Sequence, residues 1–312
     1  MTGNWKFLKE GDVIDVVAPG YPSKPHEVEG ARDFLLKWSL QPRIPKGIIK
    51  PHFLHAHEDE ARWTFLKAAL ESKDSQVIWC LRGGYGSNRL LPYLAKLKKP
   101  KTPKLLIGIS DISSLHTFVT QEWGWSTLHA PLLDRLGRNM VSTKHEKEIH
   151  DILFGKVRQI EFKKLKPLNQ AAREVKNIKS RITGGNLTVL QSSMGTPWQI
   201  NADRKLLFVE DIGERGYRVD RMFEQFRQAG VFKKCQGLIL GDFFGGEEPG
   251  GNGEDKTGKV FKRWAEDLEI PLFKGLEAGH APVQRPVPFN TSCELKVAKG
   301  RVLLQIETGG RP

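Results

Sequence analysis

The chain has 312 residues, room for two domains at roughly 100–200 residues each, and its 39% apolar and 27% charged composition excludes a disordered polymer. The net charge is +13, and two stretches supply 12 of the 13 excess charges: residues 89–104 with six basic and no acidic groups, and residues 151–181 with nine basic and three acidic. Neither interleaves aromatics with its charges and no nucleic-acid-binding signature occurs, so no specific nucleic-acid function is expected, only a solvated surface attractive to anions.

In chain order, residues 13–17 (VIDVV) read as a buried strand stopped by Ala18-Pro19-Gly20, and residues 59–72 as a helix with Ala61, Phe65, Ala68 and Ala69 at helical spacing. Residues 76–81 (QVIWCL) are the next strand, broken at Gly83-Gly84. Leu90, Leu91, Leu94 and Leu97 mark a second helix, residues 105–109 (LLIGI) a third strand, and Ile112, Leu115 and Val119 a third helix. Strand–helix repeats with continuously apolar strands predict a parallel sheet covered on both faces, with ligands at the C-terminal ends of its strands. Residues 1–155 are therefore expected to form an α/β domain. Residues 156–180, basic and without a clear period, are expected to be a linker, and residues 181–312 a second domain. There, residues 206–209 and 238–240 read as strands and residues 217–229 as an amphipathic helix. Residues 244–258 read as a flexible acidic loop, and residues 295–297 and 302–306 as a closing hairpin. No apolar run reaches the roughly 18 residues of a membrane helix. Charges in MTGNWKFLKEGD stand where a signal peptide would be apolar, and Cys80, Cys235 and Cys293 form no disulfide pattern. A cytoplasmic location without membrane association is expected.

Ser110 follows strand LLIGI directly and precedes a helix. That is the setting of a nucleophile elbow, with an exposed oxygen, a helix N-terminus and backbone N–H groups nearby. The segment GISDI lacks the second glycine of G-x-S-x-G, and on the segment alone Ser110 reads as an N-cap rather than a nucleophile. RGGYG, residues 82–86, also follows a strand; its glycines can present an N–H to an oxyanion or simply make a tight turn. Glu210 ends a strand, where a carboxylate can orient a histidine or belong to a solvated turn, and His280 sits in the loop sequence GLEAGHAP. The segment HAHEDE is similar to the H-x-H-x-D-H ligand set of metallo-β-lactamases, but Glu60 stands where a histidine is required. It is read as a solvated loop and helix start, so neither a metal nor another cofactor is expected.

Taken in order, VVAPG, HEDEARWTFLKAAL, RGGYGSNRLLPYL, GISDISSLH, HAP, GGNL, LFVEDIGERGYRVDRMFEQF, GLILGDF and GHAP resemble the LD-carboxypeptidase family of serine peptidases over roughly residues 10–306. The same family contains the microcin-immunity hydrolases. Two departures are that Ile109 stands where members carry an aromatic, and Ala130-Pro131 where they carry Gly-Pro. The resemblance implies an N-terminal parallel-sheet α/β domain of the class I glutamine-amidotransferase kind and a smaller mixed α/β C-terminal domain. It implies a catalytic triad of Ser110 as nucleophile, His280 as base and Glu210 as its orienting carboxylate, with the site between the two domains. The Asp111 N–H and an N–H of the Gly83-Gly84 turn are the expected oxyanion donors, and Arg82 is a candidate to bind a substrate carboxylate, with a structural salt bridge as its alternative. The implied reaction releases terminal D-Ala from a muramyl tetrapeptide, after the L-centre of diaminopimelate, in murein recycling, by a homodimer. A peptidyl- or aminoacyl-nucleotide hydrolase, for which Trp198 would be the base shelf although it reads rather as a core residue, and a non-catalytic muropeptide- or nucleic-acid-binding protein are the alternatives.

Overall fold

Apolar strand sequences such as VIDVV, SQVIWC and LLIG pair side by side because a strand buried on both faces needs neighbours on both edges. The computed structural model describes residues 5–248 and 255–311, and the chain divides into two units. In the first, the described residues form a six-stranded sheet in the order Gln41–Arg43, Val13–Val17, Ser75–Cys80, Leu105–Gly108, Thr127–His129, Val287–Phe289. The first five run parallel and the sixth is antiparallel to its neighbour. The in-register pairing of Val77 with Leu105 and Trp79 with Ile107 brings the loop at residues 82–86 level with Ser110. A helix absent from the sequence reading, Pro25–Lys37, buries Ala31, Phe34 and Leu35. It starts at a proline, and Glu27 Oε2 accepts from the Lys24 N–H at 2.7 Å, which satisfies an otherwise orphaned donor.

The second unit holds Gln159–Gln284 and Thr291–Glu307. Its described residues form an eight-stranded mixed sheet: Gln159–Phe162, Arg301–Glu307, Ser292–Ala298, Asn177–Asn186, Leu206–Ile212, Gly237–Phe244, Leu272–Lys274, Lys166–Pro167. The four strands from Asn177–Asn186 to Leu272–Lys274 are parallel, and the remaining pairings are antiparallel. Helix Gly216–Gln228 lays Val219, Met222, Phe223 and Phe226 on Leu207, Val209, Leu238 and Leu240, and Trp264 of helix Thr257–Asp267 closes the same core. The α/β first unit and mixed second unit agree with the expected fold class.

The boundaries differ from those expected. Residues 156–180 are not a bare linker: they carry strand Gln159–Phe162, strand Lys166–Pro167, helix Gln170–Glu174 and the start of Asn177–Asn186. Ile160 and Phe162 are buried while Gln159 is exposed, so a strand with one solvated face hides its period among lysines. The first unit also reclaims residues 285–290 and the chain end from Thr308, because Val287–Phe289 pairs with Thr127–His129 and Gly310–Arg311 with Trp5–Lys6. Of the expected acidic loop, residues 249–254 lie outside the described residues; Phe244 still belongs to a strand, and a helix has begun by Thr257.

Candidate active site

Strand Leu105–Gly108 ends, and one residue later Ser110 turns the chain with φ +66° into a short 3₁₀ segment, Ser110–Ile112, continued by helix Ser113–Glu122. A non-glycine residue in the left-handed region costs on the order of 1 kcal/mol or more and persists only where its surroundings over-determine it. Here the cause is visible. Ile109 keeps the extended conformation of the strand while Ile112 already donates its N–H to the Ile109 carbonyl at 3.3 Å, so Ser110 absorbs the whole reversal. Ile109 is the residue at the helix cap position and no side chain caps the segment, which removes the N-cap reading of Ser110.

Gly83 packs on this turn. A Cβ placed there would lie 3.1 Å from Ser110 Cβ and 3.4 Å from its Oγ, so a side chain at this position would crowd the serine. Asp111 holds the loop in place. Its carboxylate accepts from the Ser87 N–H at 2.9 Å, and its carbonyl accepts from Ser87 Oγ at 2.5 Å. Burial pushes the Asp111 carboxyl up to about 6 against those hydrogen bonds. Arg82, at the start of the same loop, donates from Nη1 to Glu27 at 3.1 Å, faces Asp134 from Nε at 4.0 Å, and lies over the Tyr21 ring with its Cζ 5.5 Å from the centroid. Glu27 also takes Arg138 at 2.9 Å. The salt-bridge alternative for Arg82 is therefore occupied within its own unit.

In the second unit, Glu210 closes the parallel run of strand Leu206–Ile212 and is wholly buried, and its Oε2 lies 2.6 Å from His280 Nδ1. With Nδ1–H donated to the carboxylate, Nε2 carries the basic lone pair. Gly279 makes the approach possible: at φ +137°, a Cβ would stand 3.0 Å from Glu210 Oε2 and 3.1 Å from Asp242 Cβ. Two further carboxyls, unnoticed in the sequence, surround the pair. Asp211 accepts from Asn186 Nδ2 at 3.1 Å and from the N–H and Oγ1 of Thr188 at 2.8 Å each; burial, then the charge of Glu210, pushes it up to about 6. Asp242 is pushed up to about 7 by burial and by the charges of Glu210 and Glu277. Both follow the apolar runs of their strands within FVED and GLILGDF, the one signal that could have pointed to them. Among the described residues no three histidine, cysteine or acidic side chains gather as a metal site, and His52, His55 and His57 are no exception. No described helix is long and apolar enough to cross a membrane.

Family comparison defines the class. The N-terminal domain of the LD-carboxypeptidases matches residues 14–130, and the C-terminal domain of the same family matches residues 179–295. The chain belongs to the LD-carboxypeptidase family and is a carboxypeptidase of that class. A Rickettsia conorii protein named as a carboxypeptidase is 38% identical over 244 residues, 78% of this chain and 75% of its own. A Bacillus subtilis protein named as a murein peptide carboxypeptidase is 28% identical over 96% of this chain and 93% of its own. The crystal structure of the muramoyltetrapeptide carboxypeptidase of Oxalobacter formigenes superposes with a TM-score of 0.80 at 27% identity, covering 95% of this chain and 98% of that one. The microcin C7 self-immunity protein MccF of Escherichia coli is a further relative, 25% identical over 69% of this chain and 70% of its own.

Proposed function

We propose that the protein is a serine LD-carboxypeptidase that removes the terminal D-Ala of a muramyl tetrapeptide in cytoplasmic murein recycling, with Ser110, His280 and Glu210 as its triad. The observation that carries the assignment is Ser110 itself, held at φ +66° between a strand and a helix start with Gly83 against its side chain. In the reaction, His280 Nε2 takes the hydroxyl proton as Oγ bonds to the carbonyl carbon of the third peptide residue. The tetrahedral oxyanion is received by the Asp111 N–H, at a helix start where N–H groups lack intrahelical partners, and by an N–H of the Gly83-Gly84 turn. His280 then protonates the departing D-Ala nitrogen, and water, activated by the same imidazole, releases the shortened peptide from Ser110. Glu210 fixes the tautomer of His280 and stabilises its imidazolium. Arg82, whose Nη2 is engaged by neither Glu27 nor Asp134, is the group proposed to meet the substrate's terminal carboxylate.

Incubation with purified muramyl tetrapeptide followed by mass spectrometry tests the reading: loss of one alanine is expected. The kinship with MccF supports one rival, hydrolysis of an aminoacyl-nucleotide conjugate. Turnover of such a conjugate with no loss of alanine from the tetrapeptide would replace the carboxypeptidase assignment by that rival.

A further inference from the structure

The loop at residues 82–86 has two faces. Gly83 packs on Ser110, and two residues on Tyr85 turns to His55, their ring centroids 5.2 Å apart. Beyond Tyr85 opens a cavity of about 600 Å³, formed with the tight hairpin in which His52 and His55 exchange backbone hydrogen bonds at 3.0 Å. That hairpin holds Phe53 at φ +52° and 89% exposed, and Leu54 and Tyr85 stand beside it at 43% and 44%. Large apolar side chains gathered at a cavity mouth, one of them on a strained backbone, mark a surface that is covered in function. One wall is polar. The His55 ring is 6% exposed, yet its Nε2 has no hydrogen-bond partner among the described residues. Burial and the Arg62 charge hold this imidazole below its ordinary value, so it meets a ligand as a neutral donor or acceptor. The lining includes the acidic run Glu58-Asp59-Glu60, with Glu58 exposed, and Arg89 and Arg62 pair with Asp59. An anion is unwelcome there.

Aromatic walls, a neutral imidazole and a carboxylate at the rim suit an uncharged polyhydroxylated ring, which offers apolar C–H faces to Phe53 and Tyr85 and hydroxyls to His55 and Glu58. We propose that this cavity is a pyranose subsite for the muramyl sugar of the substrate, an inference that rests on the carboxypeptidase reading above. In the substrate the sugar is attached three residues before the scissile bond, a reach of about 10 Å for three extended residues, and the loop at residues 82–86 carries both Gly83, against Ser110, and Tyr85, at the cavity.

The test compares kcat/KM for muramyl tetrapeptide and for the same tetrapeptide without sugar, in the wild-type protein and in Phe53→Ala. Since Phe53 is almost wholly exposed, the variant should fold, and a thermal melt checks that it does. The wild type should prefer the glycosylated peptide by roughly 3- to 10-fold, and Phe53→Ala should bring the ratio close to one. A ratio of one in the wild type, or the same preference in both proteins, overturns the subsite. A second readout is independent of turnover: saturation-transfer NMR with N-acetylmuramic acid amidated at its lactyl carboxyl. Ring-proton signals lost in Phe53→Ala uphold the subsite even if no tetrapeptide is cleaved, in which case it is the carboxypeptidase reading that fails. Tetrapeptide cleavage without sugar signals leaves that reading in place and removes the subsite.

Discussion

At the residue scale the catalytic assignment turns on one hydroxyl. In the proposed triad Ser110 is the group that His280 and Glu210 activate, so Ser110→Ala should lower kcat by about 10⁴–10⁶-fold while the melt is unchanged. Steady-state kinetics on muramyl tetrapeptide decides the point, since residual activity within tenfold of wild type would show that another group attacks. Arg82 gives a second residue-scale prediction. Losing a charge-assisted pair to a partly buried carboxylate costs about 1.5–3 kcal/mol, roughly 10- to 150-fold in kcat/KM. Arg82→Ala should therefore slow cleavage of the free acid far more than that of the C-terminally amidated peptide. Since Glu27 already holds Arg82 Nη1, the variant also strips one cation from Glu27, and the acid-to-amide ratio separates substrate binding from that structural loss. A ratio equal to wild type moves the anchor elsewhere. The strand-to-helix setting of Ser110 was legible in the sequence because it is local, while its role came from the family resemblance; a salt bridge for Arg82 was foreseen but its partner was not, since Glu27 lies 55 positions away.

The element that presents His280 is a loop pressed against the end of a strand. Gly279→Ala puts a methyl group within about 3 Å of Glu210 Oε2 at a φ that L-residues avoid, and Glu210 is buried and cannot retreat. The loop must then shift, taking the imidazole with it. The expected result is a folded protein destabilised by about 1–3 kcal/mol, with kcat lowered by roughly 10²-fold through a misplacement on the order of 1 Å. Urea unfolding and kinetics on the same preparation test this, and unaltered kcat would mean that the position of His280 does not depend on this contact. Strand and helix elements with continuous apolar runs, such as residues 76–81 and 105–109, could be read directly. Strand Gln159–Phe162 and helix Pro25–Lys37 could not, because each buries only one side and carries polar or charged residues on the other.

Among the described residues, four carboxyls are held above their ordinary value. Asp111 and Asp211 are pushed up to about 6, Asp242 to about 7, and Asp134 is raised as well, in each case chiefly by burial. In the unfolded chain an aspartate loses its proton near pH 4. Between about pH 4 and 7 the native state therefore binds more protons than the unfolded state, and this contribution to stability, complete below pH 4, declines as pH rises. Asp242→Asn should flatten the fall in urea midpoint between pH 5 and 7.5. An unchanged slope would show that Asp242 is already ionised at pH 5 in the native protein.

The order of motifs along the chain determined the family, the two-part organisation and the candidate triad, because strand-end residues and their flanking glycines are specified locally. Tertiary structure alone decided what surrounds them. The return of Val287–Phe289 to the first sheet, the approach of Asp242 to Glu210, the pairing of Arg82 with Glu27 and the aromatic cavity beyond Tyr85 all join residues remote in sequence. Such contacts follow from which strands pair and which faces are buried, and no local pattern encodes them.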